Sequence, residues 1–345
     1  MTRPLRAATT AAVLGLTLAA LTACGANGSD SGTDGDSVGL SMPFLSQEGY
    51  VIQQQLTVAA AKEAGMSMLQ PTDAKQDPGK QITDVRNLIT SGAKGIILTP
   101  ADSAAIGPAL KFAEERDVPV VAADTPPTSG KVAITVVADN ALMGKLACEE
   151  MGRLLDGTGT VLELQGGLDI LPGRQRTDGF NECMESEFPG IKVVEKPTQW
   201  KADKAAEATA SALTQEGNLD GIYVQSDCGM LSSVLNVLKS RGKDALVGEE
   251  DHISIVSIDG CPFALESIRA KKLDAAVAQP INLYASLGVD YLRRAMAGET
   301  FEEGPTDHDS RIEIMDGNPV DLLTSPVVTA ENVDDKSLFG NTPVS

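Results

Sequence analysis

Two stretches carry side chains that core strands rarely end in. "GIYVQSDCGM" (221–230) passes from Gly221–Val224 straight into Gln225, Ser226 and Asp227 and then Cys228. "SIVSIDGCPF" (254–263) passes from an apolar run into Asp259, Gly260 and Cys261. An amide, a hydroxyl and two carboxylates gathered together can exchange hydrogen bonds with the adjacent hydroxyls of a polyol. Two carboxylates facing each other across a sugar could instead act as acid and nucleophile in glycoside hydrolysis. A third use is local, because Asp and Ser cap helix N-termini and stabilise them by about 1 kcal/mol each. Capping fits Asp124 poorly, since Pro126 and Pro127 follow it rather than a helix.

Other chemistries lack their residues. The chain has no nucleophile elbow, since its one GxSxG match, Gly35–Gly39, leads into a strand rather than standing on a strand-to-helix turn. It has no P-loop, and "GTG" at 157–159 precedes a strand instead of following one. With no CxxC and only His252 and His308, a zinc site is not expected, and no cofactor is implied. Catalysis is therefore not expected.

The elements that must position these groups alternate along the chain. Strand-like runs fall at Val38–Met42, Gly95–Leu98, Val118–Ala122, Val161–Leu164, Ile191–Val194, Gly221–Val224, Ile253–Ile258 and Ala275–Ala278. Amphipathic stretches lie between them, at Val51–Ala64, Lys80–Ser91, Ala104–Glu115, Leu142–Leu155, Ala202–Gln215, Leu231–Arg241 and Leu283–Ala297. Continuous apolar strands imply sheets covered by helices on both faces. The pattern predicts an α/β fold of doubly wound parallel sheets, with ligand in the crevice beyond the strands' carboxyl ends. Thr99 and Asp102, Asp124, Ser226 and Asp227, Asp259 and Gln279 all stand at such ends.

The ends and the composition set the compartment. Arg3 and Arg6 precede an apolar run at Ala11–Leu21, too short to span a bilayer, and "LTAC" closes it at Cys24. The pattern resembles a bacterial lipoprotein signal, which predicts a leader at 1–23, lipid on Cys24, and an extracytoplasmic protein held to the outer face of the cell membrane. "GANGSDSGTDGDS" reads as a flexible tether, so 24–37 separates anchor from fold. With 28 Lys and Arg against 48 Asp and Glu, the net charge of −20 argues against nucleic acid and against a polybasic grip on anionic lipid. The membrane is then reached only through lipid, and one acyl chain would hold weakly, so multiple acylation is expected. Cys148, Cys183, Cys228 and Cys261 remain for two disulfides in an exported context; four cysteines allow three pairings.

Seven motifs then follow in one order: "ILTPADSAAIGPAL", "VPVVAADTP", "VADNALMGKLA", "GRQRTDGF", "YVQSDCGM", "IVSIDG" and "LDAAVAQP". In that order and spacing the chain resembles the ribose-binding type of periplasmic sugar-binding protein, the type I solute-binding proteins of ABC transporters, over about residues 38–335. The resemblance implies two α/β lobes joined by three crossover strands, closing on a sugar like a clamshell. Its lobes would be 38–138 plus 280–323, and 139–279 plus 324–345. It implies a ligand set of Gln47, Tyr50, Thr99, Asp102 and Asp124 from the first lobe. The second lobe would give Asn140, Arg174, Trp200, Ser226, Asp227 and Asp259, with Gln279 at a hinge. Carboxylates and amides would meet hydroxyls, Arg174 would fork across two oxygens, and Trp200, the single tryptophan, would stack on a ring face.

Two departures stand out. Thr125 occupies the position where ribose-type proteins usually carry Arg, which removes a guanidinium from the pocket. The four cysteines are also foreign to the usual pattern, and the positions of their helices in the resembled fold imply pairs Cys148–Cys183 and Cys228–Cys261. The expected function is capture of a monosaccharide or polyol by a monomer that hands it to an ABC permease. Delivery of a sugar or autoinducer-like signal to a membrane sensor is the alternative. A regulator with this sensor fold would need a helix-turn-helix and basic charge, which the chain lacks.

Overall fold

The computed structural model describes residues 36–342, which lie in one compact unit. The expected leader, the lipidation site Cys24 and nearly all of the tether fall outside the described residues.

The chain begins β1 (Ser37–Met42), α1 (Glu48–Glu63), β2 (Ser67–Met68), β3 (Thr72–Asp73), α2 (Pro78–Thr90), β4 (Gly95–Leu98), α3 (Gly107–Glu114), β5 (Val120–Ala123) and β6 (Ile134–Ala138). It continues α4 (Asn140–Leu154), β7 (Thr158–Gln165), α5 (Leu171–Glu187), β8 (Gly190–Pro197), α6 (Ala202–Gln215), β9 (Gly221–Val224), α7 (Asp227–Ser240), β10 (Ser254–Asp259), α8 (Pro262–Arg269) and β11 (Ala275–Ala278). It closes with α9 (Ile281–Met296), β12 (Gly304–Pro305), β13 (Arg311–Met315), β14 (Asn318–Leu323) and β15 (Val327–Val328).

Two sheets result. One runs β12-β13-β14-β6-β5-β4-β1-β2 with β3 beside β1, and the other runs β15-β11-β10-β9-β7-β8. Their central strands are parallel and buried throughout, as continuous runs such as Gly95–Leu98 and Ala275–Ala278 require. The edges depart from a purely parallel arrangement. β12, β13 and β14 pair antiparallel, and β15 pairs antiparallel with β11. The β13–β14 connection is the two-residue turn Asp316-Gly317, both at positive φ (50° and 76°), the geometry that lets a tight hairpin follow the sheet twist.

The chain passes from the first sheet to the second after β6, returns between β11 and α9, and leaves again between β14 and β15. The three passages lie at the carboxyl ends of β6, β11 and β14, beside the cleft between the sheets. No described helix is long and apolar enough to cross a membrane.

Candidate functional site

A cavity of about 540 Å³ lies between the carboxyl ends of the two sheets, in the size range of small-molecule sites. Its first-lobe wall starts where β5 stops. Asp124 turns out of the strand at φ 68° and half-buries its carboxylate, whose Oδ2 accepts from the Tyr50 hydroxyl and from Thr125 Oγ1, each at 3.1 Å. Tyr50 comes from the first turn of α1 and is braced edge-on by Phe44 at 4.9 Å. Burial raises the Asp124 pKa, while the Arg176 charge and the two hydroxyl bonds pull it back.

The second-lobe wall is denser. Asp259 ends β10 at φ 114°, accepts from Ser226 Oγ at 2.6 Å, and faces the Arg176 guanidinium at 3.6 Å. Arg176 itself is buried, with Nε donating to Asn140 Oδ1 at 2.9 Å and Nη1 to the Gln225 carbonyl at 2.6 Å. Burial lifts the Asp259 pKa and the guanidinium opposes that lift. Trp200 lies at positive φ (62°), 5.6 Å from the guanidinium, directly against Gly166 and Gly167, where a Cβ would collide with the indole. Of the eleven non-glycine residues at positive φ among the described residues, five line this cavity: Gln76, Asp124, Gln199, Trp200 and Asp259. Strain of this kind gathers where surrounding structure holds side chains at a site.

Of the twelve expected ligand residues, Gln47, Tyr50, Asp124, Trp200, Ser226, Asp259 and Gln279 line the cavity. The other five stand elsewhere. Thr99 is buried behind the wall, accepting from Gln53 Nε2 at 3.1 Å, and Gln53 takes the lining position. Asp102 caps its own turn through Ala104 and Ala105 N–H, the local role an Asp beside a helix start often takes. Asn140 stands behind Arg176 and holds its Nε.

Arg174 points away and donates to the Leu168 carbonyl; the guanidinium in the cavity is Arg176. Residues two apart on a helix lie about 200° apart around its axis, so only one arginine of "GRQR" can face inward. Arg176, Phe180 and Cys183 share the stripe of α5 packed on α4, and that stripe was the signal available in the sequence.

Asp227 is buried under the rim, where its carboxylate accepts from Ser257 Oγ (2.8 Å), Gly260 N–H (2.8 Å) and Cys261 N–H (3.0 Å). Burial and the Asp259 charge push its pKa up against those three bonds. It shapes the turn that presents Asp259. Gln225, fully buried, is fixed in turn by Glu163 and Thr177, both 2.8 Å from its Nε2.

Cys148 is bonded to Cys183 and Cys228 to Cys261, with Cα separations of 6.1 and 5.4 Å. Among the described residues, the single grouping with metal-ligand spacing is Asp227, Cys228 and Cys261, and both its sulfurs are committed to a disulfide.

The family described as "Periplasmic binding protein domain" matches residues 38–300. The ribose import binding protein RbsB of Bacillus subtilis is 30% identical over 286 residues, covering 81% of this chain and 90% of that protein. A xylitol-binding protein of Mycolicibacterium smegmatis is 24% identical over 316 residues, covering 91% and 83%. An ABC transporter solute binding protein from Mycobacterium smegmatis, solved with bound glycerol, superposes with a TM-score of 0.74 at 25% identity, covering 87% of this chain and 96% of that one. Each of the three is named as a binding protein.

Proposed function

The chain belongs to the periplasmic binding protein family, and from its cavity we propose that it captures a monosaccharide or polyol outside the cytoplasm and delivers it to an ABC importer. One observation carries this reading: the two sheets present opposed carboxylates, Asp124 and Asp259, with one buried guanidinium, Arg176, and an indole wall, Trp200, around a space that fits a small polyol. Carboxylate oxygens accept from hydroxyls, the guanidinium and the Gln279 amide donate to them, and the indole covers C–H faces. Contacts drawn from both walls exist together only when the lobes are shut, so ligand shifts the population toward the closed form. That closed outer surface is what a permease would read.

The relatives named for ribose and xylitol set the first ligands to try. The Tyr50–Asp124 and Ser226–Asp259 pairs act as acceptor clusters, and with Thr125 beside Asp124 the first wall adds no guanidinium. This composition favours a small polyol or furanose over a ring gripped by two arginines. The lipobox at Cys24 would tether the protein to the membrane exterior.

Thermal shift against pentoses, hexoses, deoxy sugars and polyols tests the reading. Ligand at a hundredfold excess over Kd stabilises by about 2.7 kcal/mol, a shift easily read. A flat response across the whole panel rules out the sugar assignment.

A further inference from the structure

Tyr284 sits in the first turn of α9, buried at the second passage between the sheets, and takes no part in lining the cavity. Its hydroxyl accepts from the Ala138 N–H at 2.9 Å and donates to Gln279 Oε1 at 2.6 Å. Ala138 is the last residue of β6, where the chain first leaves the first sheet. Gln279 follows β11, where it returns. One hydroxyl therefore pins two of the three passages together.

The directions of these bonds decide more than attachment. A backbone N–H can only donate, so the Tyr284 oxygen is the acceptor there and its own proton must go to Gln279. With Oε1 so engaged, Gln279 keeps its N–H groups free to donate, and its side chain lines the cavity together with Asp259. The Gln279 backbone N–H also donates to the Asp259 carbonyl at 2.8 Å. Across the first passage, Asn140 Nδ2 donates to the Ala138 carbonyl at 3.0 Å, and Asn140 Oδ1 receives Arg176. Arg176 faces Asp259 and closes the circuit. Both charged groups of the second wall are thus joined to both passages through one phenol.

We propose that Tyr284 is the positioning residue of the hinge: its hydroxyl locks the first two passages to each other and sets the orientation of Gln279, so that contacts at Arg176 and Asp259 are felt where the lobes pivot. The geometry stands independently of the ligand; its consequence for capture rests on the clamshell reading above.

The test uses the ligand-free full chain. Tyr284→Phe keeps the ring and deletes the bridge. Tyr223→Phe is the control, since that hydroxyl is equally buried and has no hydrogen-bond partner among the described residues. Hydrogen exchange followed by NMR should show the Ala138 amide exchanging at least tenfold faster in Tyr284→Phe. Amides in β4 and β9 should keep their rates, and Tyr223→Phe should change none of them. Small-angle scattering should give a larger radius of gyration for Tyr284→Phe than for either the parent or the control. If Tyr284→Phe does not fold, Gln279→Met removes the same bridge from its other end and should raise the radius likewise. Unchanged Ala138 exchange, equal acceleration in β4 and β9, or an unchanged radius in the folded variant overturns the proposal. Because no sugar is added, failure here is separate from a wrong ligand class.

Discussion

The two walls of the cavity meet the same space with very different support. On the first, Asp124 is held by two hydroxyls, from Tyr50 and Thr125, and the described residues of that lobe contain no disulfide. On the second, Asp259 is held by Ser226 and faces an arginine that is itself anchored at two points. Cys148–Cys183 then ties α4 to α5, which carries Arg176, and Cys228–Cys261 ties the start of α7 to the turn that presents Asp259. The second wall is cross-braced, and the first is the more lightly held face. The contact between them agrees. Gly49 of α1 lies so near the second disulfide that a Cβ there would stand 3.3 Å from Cys228 Sγ, so the lighter wall seats directly on the brace.

Removing the braces should produce the largest effect. The bridges close loops of 35 and 33 residues, each worth about 4 kcal/mol in the chain-entropy picture. Reductant should therefore lower the melting temperature and split the calorimetric transition, with the second lobe melting first. Superimposable melts with and without reductant would show that the two walls do not differ in this way.

Single substitutions test the walls more finely. Arg176→Ala leaves Asp259, Asn140 and the Gln225 carbonyl without their buried cation, and losing one partner of a buried pair costs about 3–5 kcal/mol. Stability and affinity should both fall. Asp124→Ala removes a carboxylate that burial already disfavours, so folding should hardly suffer. Affinity should nevertheless drop by about 2 kcal/mol as ligand hydroxyls go unpaired. Calorimetry and thermal melts on the two variants give both quantities, and equal stability losses would erase the contrast.

What the sequence disclosed follows the same division between strong and weak local signals. Continuous apolar strands such as Gly221–Val224 and Ala275–Ala278 were legible to the residue, because burial on both faces leaves no polar position to blur the ends. The β13–β14 hairpin was not, since β13 is exposed or half-exposed throughout with charged residues between its apolar ones, and Pro319 and Asp321 interrupt the apolar run of the more buried β14, although Asp316-Gly317 is a turn signal in its own right. At the site, positions on strand ends such as Asp124, Ser226 and Asp259 were legible because topology alone delivers them to one rim. Arg176 was missed because choosing between two arginines of one helix needs the phase of that helix, which the stripe through Phe180 and Cys183 sets. Asp227 and Asn140 were read as ligand contacts because type and position cannot tell a group that touches ligand from one that holds its neighbour.

The last contrast concerns pH, and in it the histidines of the two lobes behave alike. His308, at the edge of the first sheet, places Nε2 2.8 Å from buried Asp321 and Nδ1 2.9 Å from Asp307. His252, in the second lobe, places Nε2 2.9 Å from Asp274 and Nδ1 2.9 Å from the Ala245 carbonyl. Each ring thus has an acceptor at both nitrogens, an arrangement satisfied only by the charged imidazolium. Burial opposes the charge at both sites, yet the carboxylate and carbonyl bonds prevail and raise both pKa values. A raised folded-state pKa gives stability that is fully present below the unfolded value near 6.5 and is lost as pH climbs through the folded value. The melting temperature should therefore fall between pH 6 and pH 8.5. Glu163 steepens the fall in the second lobe alone, because burial pushes its pKa up to about 8 while an unfolded glutamate titrates near 4.5. Glu163→Gln should remove its own share of the second lobe's dependence, leaving those of His252, Asp227 and Asp259, and should not touch the His308 contribution, which His308→Asn removes separately. Melts of both variants across that pH range, in 0.5 M salt to suppress exposed pairs, would show whether the braced lobe is also the more pH-sensitive one.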